Sequence, residues 1–284
     1  MVELKYRSHN LKLNYNLKST FEDAKAYANR YSLSSFNQLY QGNENVENSV
    51  YHAITFNYQN LSRIARTMYH VQLGYNRKKK SIKQTTLLEG IDQIQSIMYS
   101  NIPENNYNAS ASFSKSWSAF SLATSIQAGF SDYNQWINYK FMEYQSKNYG
   151  YQIAATSWKE GWPNVRLGIS QFFINSQSES YQNKYWTANP FVELSYKLGG
   201  FIMRMDYNFT YNKQVTARQS ESYDMANASL YYNKEDSPWG FEIRMNNLFN
   251  IQYKRNHSFN QFMIYDRWTY IQPRVALFVL SYNL

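Results

Sequence analysis

Arg274-Val275-Ala276-Leu277-Phe278-Val279-Leu280-Ser281-Tyr282-Asn283-Leu284 is the stretch that decides the fold. Side chains of an extended chain alternate between two faces, so Ala276, Phe278, Leu280, Tyr282 and Leu284 share one apolar face. A soluble sheet seldom finishes on an apolar strand with an aromatic third from the end. A sheet that closes on itself inside a lipid bilayer needs such a strand as its last wall element. The expectation is an all-β transmembrane antiparallel meander β-barrel, with Phe278, Leu280, Tyr282 and Leu284 as its assembly signal.

Working outward, the same alternation recurs. Phe201, Met203, Met205, Tyr207, Phe209 and Tyr211 alternate with Ile202, Arg204, Asp206, Asn208, Thr210 and Asn212. Tyr69 to Asn76 and Phe120 to Ser131 repeat the pattern, and period-two runs suggest about twelve strands. The polar face collects Glu193, Arg204, Asp206, Glu242 and Arg244, which are expected to face a lumen, because a lipid-facing Arg or Lys costs about 2 to 4 kcal/mol at mid-bilayer. If Leu198-Gly199 is a two-residue turn, Glu193 lies opposite Arg204. A Gly199-Gly200 turn would set it opposite Asp206, and like charges facing each other favour the first register.

Composition agrees with a wall that is apolar on alternate residues only. The 284 residues include 28 Tyr, 17 Phe and 7 Trp, yet mean hydropathy is −0.66 and 17% of residues are charged. No apolar run approaches the roughly twenty residues of a membrane helix. The aromatic content argues against a disordered chain. Without cysteine there is no disulfide, thiolate or cysteine metal site. The net charge of +9 could suggest nucleic acid, but its densest run, Arg77 to Lys80 with Lys83, reads as a solvated strand end beside acidic membrane glycolipid rather than a nucleic-acid site.

Turn chemistry divides the connections into short ones (Ser8 to Asn10, Asn60 to Arg66, Lys115 to Ala119, Trp158 to Asn164, Leu198 to Gly200, Asn233 to Pro238) and longer polar stretches, including Thr20 to Asn48 and Leu87 to Asn106. Short periplasmic turns and long extracellular loops give a membrane barrel this rhythm. All seven tryptophans are expected at strand ends, where an indole meets both lipid and water.

Three segments resemble the TonB-dependent outer-membrane receptors, especially the outer-membrane β-barrel families abundant in Bacteroidetes. Gly42-Asn43-Glu44-Asn45-Val46-Glu47 is similar to the segment that precedes a descending strand there, without its two prolines. Asn246-Asn247-Leu248-Phe249-Asn250 resembles the asparagine-leucine-phenylalanine-asparagine motif before the last strands, and Arg274 to Leu284 resembles the terminal strand, with Leu284 where phenylalanine is usual. The resemblance implies a barrel of about 22 strands around an N-terminal plug. It also implies engagement of TonB through that plug, insertion by the barrel-assembly machinery, contact with outer-membrane lipid and lipopolysaccharide, and uptake of a scarce small nutrient such as an iron chelate or a glycan. Met1 to Tyr15 is already strand-like and has no signal-peptide run, so signal peptide and plug are expected to lie outside residues 1–284. An unpaired first strand then needs a neighbour, because open edges are costly in hydrocarbon.

No cofactor, metal site or catalysis is expected. His9, His52, His70 and His257 do not converge by spacing, and no Gly-x-Ser-x-Gly, phosphate loop or His-Glu-x-x-His occurs. The alternative is an autonomous outer-membrane barrel of about twelve strands acting as a passive pore or a hydrolase.

Overall fold

The computed structural model describes residues 1–179, 181–216, 218–233, 237–259 and 264–282, with backbone alone at 256–259 and 264–266. In chain order the elements are β1 (Val2–Tyr6), β2 (His9–Thr20), α1 (Ala24–Tyr27), β3 (Tyr31–Ser35), β4 (Gln38–Gln41), β5 (Ser49–Ser62), β6 (Thr67–Glu89), β7 (Asp92–Ser100), β8 (Glu104–Ser116), β9 (Phe120–Ile137), β10 (Lys140–Ser157), β11 (Asn164–Ser178), β12 (Tyr181–Leu198), β13 (Phe201–Gln214), β14 (Gln219–Asn233), β15 (Trp239–Asn246), β16 (Tyr253–Phe259), β17 (Ile264–Tyr270) and β18 (Val275–Tyr282).

The fold is an all-β antiparallel meander of barrel type. Its wall runs β1-β2-β5-β6-β8-β9-β10-β11-β12-β13-β14-β15-β18, each strand hydrogen-bonded to the next. Among the described residues that is thirteen strands in the wall, in line with the expected dozen or so, and eighteen in all once the excursions that leave the wall are included. Among the described residues no pairing joins β1 to β18.

Face assignment follows from register. Phe201, Met203, Met205 and Tyr207 pair with Tyr232, Leu230, Ala228 and Ala226 on β14, and Met205 and Tyr207 pair with Leu194 and Val192 on β12. Directly opposed residues share a face, so one side of the sheet is apolar from strand to strand. The other side carries an unbroken line across eight strands: Asn16, Ala53, Asn76, Asn106, Ser131, Ser146, Ser176 and Asn183.

The β12–β13 register corrects one expectation. Leu198 pairs with Phe201 and Glu193 with Asp206, while Arg204 faces Ser195. Gly199 and Gly200 therefore form the turn, and Gly199 takes the positive φ of +57° at its first position, which a side chain would resist. The like charges do not meet. Glu193 accepts a hydrogen bond from Arg166 Nη1 on β11 at 2.8 Å, and Asp206 accepts one from Asn227 Nδ2 on β14 at 2.8 Å. Each carboxylate turns to the strand on its far side.

The loop rhythm is corrected as well. At the end that carries the two excursions, Thr20 to Asn48 and Leu87 to Asn106, β9 and β10 meet through only Asn138 and Tyr139, both at positive φ. Strands β9, β10 and β12 are instead 18 residues long, so reach at this end comes from strand as well as loop. Nor is Leu87 to Asn106 a plain loop. Strand β6 runs for 23 residues in all, continues past its bulge opposite Val50 and Tyr51, turns at Gly90, and pairs with β7, which in turn receives β4 in parallel. The cue was present in the sequence, where a glycine separates two alternating runs.

Candidate functional site

The polar face is the candidate site. Near the end bearing the excursions, Lys18, Tyr51, Lys78 and Glu104 stand in register on β2, β5, β6 and β8. Tyr133 and Tyr144 continue the aromatic line, paired on β9 and β10 with rings stacked at 5.1 Å and 7°. Lys18, Tyr51, Lys78, Glu104 and Tyr133 line a recess of about 670 Å³ with Asn16, Asn76 and Ser131. Glu104 is held internally: its carboxylate accepts the Asn134 N–H at 2.8 Å and forms a buried ion pair with Lys83. Burying either charge alone would be costly, so the pair locks the β6 extension to the starts of β8 and the top of β9. Lys18 and Lys78 form no ion pair within 4 Å among the described residues, so the recess offers two ammonium donors, amides and phenols to a polar ligand. Sequence reasoning missed the Lys83–Glu104 pair, because it requires β6 and β8 to be neighbours.

The five charged residues expected on the polar face do lie on one face. Glu193 pairs with Asp206, Arg204 with Ser229, Ser229 with Arg244, and Tyr231 with Glu242. They form two groups. Arg166–Glu193 and Asn227–Asp206 make two hydrogen-bonded pairs side by side across four strands, and Arg244 holds Glu242 on its own strand with Nη2 2.9 Å from Oε2. A recess of about 570 Å³ beside Arg166 and Arg204 opens onto the first group.

On the terminal strand, Phe278, Leu280 and Tyr282 lie opposite Ile243, Phe241 and Trp239 of β15, and Tyr282 packs on Trp239 with ring centroids 4.7 Å apart. All three are more than half exposed. Leu284 lies outside the described residues.

The asparagine-rich segments act as fasteners. Asn247 is 4% exposed and sits at φ +53°, a conformation that asparagine tolerates. Its Nδ2 donates to the carbonyls of Ile251 (2.8 Å) and Gln272 (3.0 Å), and its Oδ1 accepts the Ile251 N–H (2.8 Å). Asn250 Oδ1 accepts the Arg274 N–H at 3.0 Å. The two side chains clasp the start and end of the excursion that carries β16 and β17. Gly42 plays a matching part after β4, because a Cβ there would lie 2.5 to 2.6 Å from the carbonyl oxygens of Ala28, Ala26 and Lys25. Asn43 donates from its backbone to Ala26 O at 2.7 Å and from Nδ2 to Ile97 O at 3.1 Å, tying this excursion to β7.

Other expectations shift. The basic run lies inside β6 and not at a strand end, and it is no single patch. Arg77 pairs with His52 on the apolar side, Lys78 with Tyr51 on the polar side, and Lys80 Nζ approaches Glu47 at 4.0 Å. Tryptophans 117, 158, 162 and 239 do mark the short-turn end, and Trp136 is near the end of β9, but Trp186 lies within β12 and Trp268 in the β16–β17 pair. His9 and His52 bond to Tyr58 and Tyr15, at 3.0 and 2.8 Å. Among the described residues no helix is long and apolar enough to cross a membrane.

No protein-family model matches this sequence, and no curated protein matches it. Among solved structures, the fold is similar to the FrpB iron transporter from Neisseria meningitidis (F3-3 variant), with a TM-score of 0.60 and 10% identity. The likeness covers 90% of this chain and 44% of that one, so the chain spans less than half the length of the transporter it resembles. At that identity the match establishes a shared barrel architecture.

Proposed function

We propose that this chain is the wall and extracellular mouth of an outer-membrane receptor of the TonB-dependent kind, and that it binds and passes a scarce nutrient without transforming it. The observation that carries the reading is the division of the wall into one apolar and one polar face, maintained by register. On β13 the apolar side from Phe201 to Tyr211 is about 33 Å of strand at about 3.3 Å per residue. A tilt of about 40° reduces that to about 25 Å, the height of an outer-membrane barrel's apolar band. The likeness to an iron transporter's barrel supports the same reading.

In this reading the polar face is the lumen, with Glu193, Arg204, Asp206, Glu242 and Arg244 nearer the periplasm and the Lys18–Tyr51–Lys78 recess nearer the mouth. Phe278, Leu280 and Tyr282 lie on the strand read by the barrel-assembly machinery, and Leu284 completes that signal in the sequence. The plug and TonB contact belong to sequence outside residues 1–284, and the chain is the C-terminal half of a barrel of about 22 strands. The wall's chemistry, amides and hydroxyls with paired charges, suits hydrogen bonding and transit, so neither cofactor nor catalysis is invoked. The test is uptake of labelled iron chelates and oligosaccharides by cells with and without the gene, before and after collapse of the proton gradient. Loss of energy-dependent uptake of one ligand on gene deletion is the expected result. Uptake that persists after the gradient collapses would favour a passive pore.

A further inference from the structure

The apolar face carries a feature that transport does not require. Two adjoining hollows of about 450 and 410 Å³ share Leu73, Ala109, Ala128 and Tyr149 among their linings. Small alanines on β8 and β9 form the floor of the groove. Larger side chains rise around it, Phe130 and Tyr107 toward the mouth end, Phe173 on the β11 side. A smooth lipid-facing wall would fill this strip with Leu, Val or Phe, and here it is left empty for something to occupy.

Directly beyond the groove toward the mouth end, hydrogen-bond donors gather from four strands. Lys147 of β10 pairs with Asn175 of β11, and Asn175 with Lys184 of β12. Lys213 of β13 pairs with Trp186, one step below Lys184 on the same face. Lys147 Nζ stands 5.8 Å from the Phe130 ring centre, and Trp186 stacks on Phe173 at 5.8 Å and 4°, so the cluster adjoins the groove through two of its lining rings. Trp186 Nε1 is buried without a hydrogen-bond partner. A buried donor of this kind is costly unless something accepts from it. Among the described residues none of the three lysines forms an ion pair within 4 Å. Around them on this face stand neutral Gln145, Gln177 and Gln182 in one rung and Tyr149, Phe173 and Tyr211 below. Asp132, opposite Gln145, and Glu143, one position further along β10 on this face, are the bordering carboxylates, and Asp132 Oδ1 and Asn175 Oδ1 are buried without a hydrogen-bond partner.

We infer that Lys147, Lys184 and Lys213, with Trp186 Nε1 and the Asn175 amide, clamp the phosphate of a membrane lipid whose acyl chains fill the adjoining groove. A phosphate carries several strong acceptors and negative charge, which matches the three ammonium groups and the indole N–H, while a protonated or hydroxyl-bearing headgroup oxygen would serve the Asn175 carbonyl. An apolar slot immediately alongside fits the tails of the same molecule, whereas a free phosphate would have no use for it. The ligand class is thus a phosphorylated, multiply acylated lipid of the leaflet at the mouth end. The site lies on the opposite face of the wall from the nutrient path. It would fix the barrel's depth and the spacing of β10 to β13, and it rests on the membrane placement proposed above but not on which nutrient is carried.

The test uses the full-length protein extracted from its own membrane in mild detergent, with native mass spectrometry to count retained lipid. Micelles then offer either diphosphoryl lipid A or the same lipid A freed of its phosphates for rebinding. The unaltered protein should retain phosphorylated lipid and prefer diphosphoryl lipid A at least tenfold. K147E/K184E/K213E should abolish that preference, and the triple Arg variant should keep it. W186F, which keeps the ring and removes the donor, should weaken binding two- to tenfold even if the Glu variant fails to assemble. A128F should block the groove and lower lipid retention. Equal retention of both lipids by the unaltered protein, undiminished preference in K147E/K184E/K213E, or displacement of lipid A by millimolar inorganic phosphate would overturn the lipid site while leaving the membrane reading intact. Recovery of the unaltered protein in the soluble fraction would instead overturn the membrane reading.

Discussion

Replacing Asn247 with alanine should open the excursion between β15 and β18 without disturbing the wall. The side chain makes three hydrogen bonds from a nearly buried position, so its removal leaves the Ile251 N–H and the Ile251 and Gln272 carbonyls without their partner. Each such bond is worth about 1 kcal/mol net. The φ of +53° adds about 1 kcal/mol against a residue with no side chain able to bond locally. The total of about 4 kcal/mol is an upper figure, because water reaches some of the freed groups once the clasp loosens. A cost of about 2 to 4 kcal/mol raises the open population of the excursion by about 30- to 1,000-fold. When reclosing outpaces cleavage, limited proteolysis follows that population. The assay is therefore the cleavage rate within 248–273 in detergent-embedded protein, alongside the heat-induced mobility shift that reports the wall. Asn247→Asp keeps the acceptor, loses both amide donors and turns a charge toward two carbonyls, so it should be at least as damaging. Cleavage within threefold of the unaltered protein would refute the clasp. An equal collapse of the wall would show that Asn247 supports the barrel rather than its excursion.

Three further outcomes follow from the wall itself. Met205→Arg, on the apolar face, should cost about 2 to 4 kcal/mol if that position lies near mid-bilayer, measured by urea unfolding in lipid, whereas Arg204→Met next to it should be close to neutral. Arg166→Met leaves Glu193 opposite Asp206 without the cation that draws it to its far side and should destabilise by about 0.5 to 1 kcal/mol, the modest value reflecting a half-exposed pair; Glu193→Gln should restore most of the loss, and failure to do so would refute the charge argument. Phe278→Asp with Tyr282→Asp should block insertion of the full-length protein, scored by membrane fractionation, because both place charge on the stripe facing β15's aromatic side.

The sequence by itself determined the class of fold and the two faces of the wall, because side-chain alternation is local: once Phe201 to Asn212 is extended, Met205 and Arg204 must point to opposite sides. It also located the short turns, and it flagged Asn246 to Asn250 by resemblance before the geometry of the clasp was known. Register is a different kind of information. Glu193 faces Asp206, and the pair of glycines turns where it does, since repulsion between two strands is relieved by a third and a fourth: Arg166 on β11 and Asn227 on β14 take the carboxylates away from each other. A reading confined to the β12–β13 hairpin contains neither partner. The same holds for Lys83 and Glu104, 21 positions apart and brought together by the way β6 outruns β8, and for Lys147, Lys184 and Lys213, which become one cluster only when four strands are laid side by side. Periodicity fixes which face a residue takes, but its neighbour on that face comes from a different strand, and the choice of neighbour is a property of the whole sheet.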